Sequence, residues 1–97
     1  KDYAVSYIMS RKYGKQRIAY NLMQKGIGRE TIEEAYFSIE EEYERNIEDE
    51  KLEKAIEKNI KKEENKLIQY LVRQGFSLNK ILSKYKEFKE NNDMEGE

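Results

Sequence analysis

Apolar residues recur every three or four positions along most of this chain, and the spacing predicts six amphipathic helices. The first is expected over residues 2–12, with Tyr3, Tyr7 and Ile8 on one face, and Tyr13-Gly14 interrupts it. The second is expected over 15–25, with Ile18 and Leu22 flanked by Ala19 and Met23. Gly26 follows where a left-handed residue ends a helix, a conformation in which a Cβ would clash. The third helix opens at Gly28. Ile27 and Ile32 form a hydrophobic staple, and Glu30, Glu33 and Glu34 lie where the helix dipole favours negative charge. It continues through Ala35, Tyr36, Ile39 and Tyr43 to about residue 45.

The plan then repeats. A fourth helix is expected over 48–61 (Leu52, Ile56, Ile60) and a fifth over 63–74 (Leu67, Ile68, Leu71, Val72). Gly75 ends the fifth, Phe76 and Ile81 form the next staple, and Ser77 caps a last helix carrying Ile81, Leu82, Tyr85 and Phe88. At an offset of 49, Ile18 answers Leu67, Leu22 answers Leu71, Gly26 answers Gly75 and Ile32 answers Ile81; upstream, Tyr3 and Tyr7 answer Leu52 and Ile56. A fixed offset of this size marks a structural unit used twice. The expected fold is all-α: two tandem three-helix repeats, 1–46 and 47–90, in an elongated curved array, followed by a disordered acidic tail, 91–97. Residues 40–50 form the joint, as a loop or as a continuous helix. Tyr3, Tyr7, Tyr36, Tyr43, Tyr70 and Tyr85 fall on or beside apolar stripes and are expected in or at the edge of the core.

Composition narrows the picture. Charged residues make up 40% of the chain and hydrophobic ones 37%, which suits narrow apolar stripes rather than a thick sheet core. Proline is absent, so nothing inside the predicted helices must break them. The absence of cysteine removes any disulfide framework and favours an intracellular protein; no apolar run reaches the ~18 residues of a membrane span. The start carries neither an apolar signal segment nor methionine, so a piece of a longer, cytoplasmic chain is expected.

The net charge of −1 conceals alternating blocks: +6 over residues 1–29, −9 over 30–50, +6 over 51–89 and −4 over 90–97. Such blocks arise from solvated helix faces with pairing between neighbouring turns, or from basic faces that meet an anionic partner. The densest cluster is Arg11, Lys12, Tyr13, Gly14, Lys15, Gln16 and Arg17, where a turn at Gly14 is expected to present the free N–H groups of a helix start beside cations. Lys25 and Arg29 extend it. Tyr13, among cations, is a candidate for stacking on a base or filling a protein pocket.

Catalytic chemistry has little to draw on. Without histidine, cysteine or tryptophan, most general bases, thiol nucleophiles and transition-metal sites are gone. The paired carboxylates Glu33/Glu34, Glu40/Glu41/Glu42 and Glu63/Glu64 lie in charged surface runs, where nothing tunes their pKa. No Gly-rich phosphate loop is present. No catalytic residue, metal ligand or cofactor is expected.

The run from Tyr13 to Ile27, with the spacing G-x-x-R-I-x-x-x-L-x-x-K-G-I and followed by Ile32 and Ala35, resembles the central repeat of RecX-type recombination regulators. Residues 71–77 with Ile81 resemble that family's last repeat, and residues 2–8 its opening helix; the likeness covers about residues 2–88. Asn21 stands where the family often has Glu, and the joint is unusually acidic. The resemblance implies three tandem repeats, of which the first would precede Lys1. It also implies a monomeric, non-enzymatic regulator that binds RecA–DNA filaments, typically in the filament groove. Such a regulator restrains strand exchange, ATP hydrolysis and co-protease activity in DNA repair and the SOS response. Expected contacts with RecA, and with single- or double-stranded DNA inside the filament, are Arg11, Lys12, Tyr13, Lys15, Arg17, Lys25 and Arg29. Lys66, Arg73, Lys80 and Lys84 are secondary. The alternatives are a helix-turn-helix-like domain that binds DNA directly, through a last helix carrying Lys80, Lys84, Lys86 and Lys89, or a helical scaffold for another protein.

Overall fold

A computed structural model of the chain describes the backbone of residues 2–44 and 46–96 and the side chains of 3–44 and 46–91. Among these residues the structure is helical throughout, with no strand. The elements are α1 (Asp2–Ser10), α2 (Lys15–Gln24), α3 (Arg29–Tyr43), α4 (Ile47–Lys58), α5 (Glu64–Arg73) and α6 (Leu78–Gly96). In the first unit α3 packs on α1 and α2; in the second α6 packs on α4 and α5. Two separate cores result. Ala4, Tyr7, Ile8, Ile18, Leu22, Ile32, Ala35, Tyr36 and Ile39 fill one. Leu52, Ile56, Leu67, Leu71, Phe76 and Ile81 fill the other. The molecule measures 48 × 27 × 20 Å, the elongated outline of two units side by side rather than one globule.

The duplicated glycine turns have the same geometry. Gly26 and Gly75 have φ of 91° and 103°. In each turn the glycine N–H and the one after it donate back into the helix: Gly26 N to Met23 O and Ile27 N to Leu22 O, Gly75 N to Val72 O and Phe76 N to Leu71 O. These are Schellman closures, and they satisfy carbonyls that a helix end otherwise leaves open. Ser77 caps α6 through a hydrogen bond from Lys80 N at 3.2 Å, as its position predicts.

Three expectations need correction, and the joint, left open between a loop and a continuous helix, is decided. The offset of 49 holds from the second helix of each unit onward but not for the first. Leu52 and Ile56, both buried, are matched in burial by Ala4 and Ile8, while Tyr3 is 54% exposed. The cause is loop length: residues 11–14 join α1 to α2, but residues 59–63 join α4 to α5, one residue more. Tyr43, expected in or at the edge of the core, is 46% exposed as the last residue of α3. The joint is a break rather than a continuous helix. Glu44 is left-handed (φ 54°), and Asn46 caps α4 by accepting a hydrogen bond from Asp49 N at 3.0 Å. The expected end of the third helix, at residue 45, lies outside the described residues. Finally, α6 runs on through residues 91–96, where the composition predicts fraying, because no breaker intervenes after Leu78; Glu97 of the expected tail lies outside the described residues.

Candidate functional site

The two units meet where α2 begins and α5 ends. Gly14 N donates to Gln74 O at 2.8 Å, and Gln16 N donates to Gly75 O at 3.1 Å. Unpaired donors of one helix start thus meet unpaired acceptors of another helix end, with the two dipoles head to tail. Both glycines are needed for this approach. A Cβ on Gly14 would fall on the backbone of Gly75 and Phe76, and one on Gly75 would lie 2.5 Å from the Arg17 Cβ and backbone nitrogen.

The first turns of α4 complete the seam. The Glu48 carboxylate accepts from Lys15 N at 3.2 Å, at the start of α2. The half-buried Lys51 donates from Nζ to Ile8 O at 2.6 Å, in the last turn of α1. Burial pushes the Lys51 pKa down to about 8, against the opposing pull of Glu48. The start of α2, expected to offer free N–H groups to a partner, therefore has those of Gly14, Lys15 and Gln16 already occupied within the chain.

The predicted contact residues divide into free and engaged groups. Arg11 is exposed, with its guanidinium 4.5 Å from the Tyr7 ring centroid. The Tyr7 hydroxyl accepts from Asn21 Nδ2 at 3.1 Å. Arg17 covers Tyr13 at 3.8 Å, and both are half-buried. Lys25 and Arg29 are exposed and form no ion pair among the described residues. Lys15 is engaged: its Nζ bonds Glu33 at 3.0 Å and lies 4.9 Å from the centre of the Tyr36 ring. Of the secondary set, Lys80 pairs with Asp49 at 3.0 Å and Lys84 with Glu53 at 2.9 Å, both across the α4–α6 interface. Lys66 and Arg73 are exposed along a shallow depression that also holds Lys62, which sits 5.6 Å over Tyr70.

Lys12 joins a cluster that sequence reasoning did not single out. Exposed in the loop between α1 and α2, it stands beside Lys58 of the second unit. The Lys12 ammonium, acting first through close contact and then through charge, pushes the Lys58 pKa down, with a smaller push from Lys54. The signal was available, since Lys51, Lys54 and Lys58 are three and four residues apart and share one helix face. What the sequence did not show is that Lys12 folds onto that face.

The fold is thus that of a tandem helical-repeat protein: two three-helix units locked by paired glycine turns and bordered by cations. Residues 1–35 match the family model described as RecX, second three-helix domain. Neither the comparison with curated proteins nor that with solved structures gives a match. Among the described residues no helix is long and apolar enough to cross a membrane.

Proposed function

We propose that this chain is a RecX-type regulator that binds filaments of the RecA recombinase and restrains their strand exchange, ATPase and co-protease activities. The observation that carries the reading is the family match over residues 1–35, the unit that also holds the densest run of cations. The contact is assigned to the exposed Arg11, Lys12, Lys25 and Arg29, with the Tyr13–Arg17 stack beside them. Lys15 holds the fold through Glu33 and Tyr36. An elongated body of tandem units presents a long face to a partner that itself repeats, and so gains from several weak contacts at once.

The experiment is RecA ATPase on single-stranded DNA with increasing chain concentration. The wild-type chain is expected to inhibit. The combined substitution of Arg11, Lys12, Lys25 and Arg29 with Glu should raise the half-inhibitory concentration at least about tenfold, since several exposed charge contacts reverse sign. Helical content by circular dichroism should stay unchanged. Undiminished inhibition by the folded variant would remove the contact assignment, and no inhibition by the wild type would remove the function. Direct DNA binding by α6 has less in its favour, because Asp49 and Glu53 already neutralise Lys80 and Lys84. Tight binding to DNA without RecA, with a steep salt slope, would restore it.

A further inference from the structure

At the seam between the units, α4 and the end of α1 enclose a cleft of about 460 Å³. Its floor is apolar: Met9, Ile47, Ala55 and Phe76 line it, and Met9 is 40% exposed. Its rim is cationic: Lys12, Lys51, Lys54 and Lys58 stand around it, with Glu50 as the acidic member. Lys51 is held by the Ile8 carbonyl, whereas Lys12, Lys54 and Lys58 form no ion pair among the described residues. Three ammonium groups brought together by the fold repel one another until an anion joins them.

We propose that this cleft is a docking site for an acidic peptide segment that carries one apolar side chain between carboxylates. Two features select that occupant. The rim calls for negative charge, and the floor calls for an aliphatic or aromatic side chain of a size that about 460 Å³ accommodates. A phosphodiester backbone satisfies the rim but leaves the exposed Met9 and its neighbours uncovered. Stacking of a nucleobase would need an open aromatic face, and Tyr70, which also borders the cleft, is half-buried with Lys62 over its ring. A methionine floor adapts to differently shaped side chains, since its unbranched chain has several rotatable bonds. The site lies across both units, so it exists only while the glycine turns hold them together, and it shares Lys12 with the proposed RecA contact.

The test is fluorescence anisotropy with the whole chain and three labelled probes: a Glu/Asp peptide with a central Leu, the same peptide with Gly in place of Leu, and an oligothymidylate. The Leu peptide should bind, more weakly as salt rises, and the Gly peptide at least about tenfold more weakly. The double substitution Lys54→Glu/Lys58→Glu should abolish binding, while Lys86→Glu, on exposed α6, should leave it unchanged. Lys54→Gln/Lys58→Gln gives the same answer with a smaller change in charge, should the reversed pair fold poorly. Peptide binding that persists in both double variants would overturn the assignment, as would failure of both peptides to bind. Oligothymidylate binding with the lysine dependence expected of the peptide, and no peptide binding, would assign the site to nucleic acid instead.

Discussion

Gly75 and Gly26 have the same backbone conformation but different surroundings, and the difference isolates what the seam contributes. At Gly26 (φ 91°) nothing lies within 4 Å of an added Cβ. Gly26→Ala should therefore cost only the left-handed strain, about 1–2 kcal/mol. At Gly75 the same Cβ meets Arg17 backbone and Cβ at 2.5 Å, so Gly75→Ala adds an overpacking cost of about 1–3 kcal/mol. Urea unfolding of the two variants should show the larger loss at Gly75; equal losses would mean the seam opens at little cost. Tyr36 carries a second residue-scale prediction. Its hydroxyl is buried with no hydrogen-bond partner among the described residues, and burial, followed by the nearby Glu48, Glu33 and Glu40, holds its pKa well above the usual tyrosine range. Removing an unsatisfied hydroxyl relieves a desolvation cost. Tyr36→Phe should leave stability unchanged or raise it by up to about 1 kcal/mol, and a clear loss would show that the hydroxyl has a partner.

At the scale of elements, α4 belongs to two units. Its Leu52 and Ile56 fill the second core, while Ile47, at its start, packs against the first. Its first turns also serve both ends of the first unit's connection, through Glu48 at the start of α2 and Lys51 at the end of α1. The acidic joint over residues 40–50 thus includes Glu48, which has a defined partner in the first unit. Lys51 makes this testable by pH. Its pKa is about 8 in the folded protein against an ordinary 10.5, because burial disfavours the ammonium. Below about pH 8 both states hold the proton. Between about 8 and 10.5 the unfolded chain binds more protons, so this group makes stability rise with pH. The stability of the wild type relative to Lys51→Met should accordingly increase across that interval. A flat difference would mean that Lys51 is solvated and not engaged with Ile8.

For the whole molecule, the question is whether the two cores act together. Each buries its own apolar set, and what joins them is short: two backbone hydrogen bonds at the glycine turns, the Glu48 and Lys51 contacts, and Ile47. Neighbour interfaces of this kind set the cooperativity of repeat proteins. Gly14→Ala places a Cβ on the Gly75 and Phe76 backbone while leaving both cores intact. It should separate the unfolding of the units, giving probe-dependent transitions where the wild type gives one. A single unchanged transition would mean that the cores couple through other contacts. The same variant should weaken peptide binding at the lysine cleft, since Lys12 lies on one unit and Lys54 and Lys58 on the other.

The sequence by itself determined the helices, the duplication and most of both cores, because these follow from local rules. Apolar spacing near 3.6 residues defines one face, and a glycine where a Cβ would clash ends a helix. Ile18, Leu22 and Ile32 could therefore be matched with Leu67, Leu71 and Ile81, and all six are buried. In α1, a one-residue change in loop length shifted the register, and the periodic pattern alone placed Tyr3 where Ala4 belongs. Tertiary structure decided which cations remain free. Lys15, Lys80 and Lys84 read like Lys12 and Lys25 in sequence, yet acids 18 to 31 residues away engage the first three. It also decided that the start of α2 meets the end of α5 rather than a ligand, and that Lys12 joins the lysine face of α4. Coulombic and hydrogen-bond partners depend on distance in space, and until the chain folds nothing in the order of residues sets that distance.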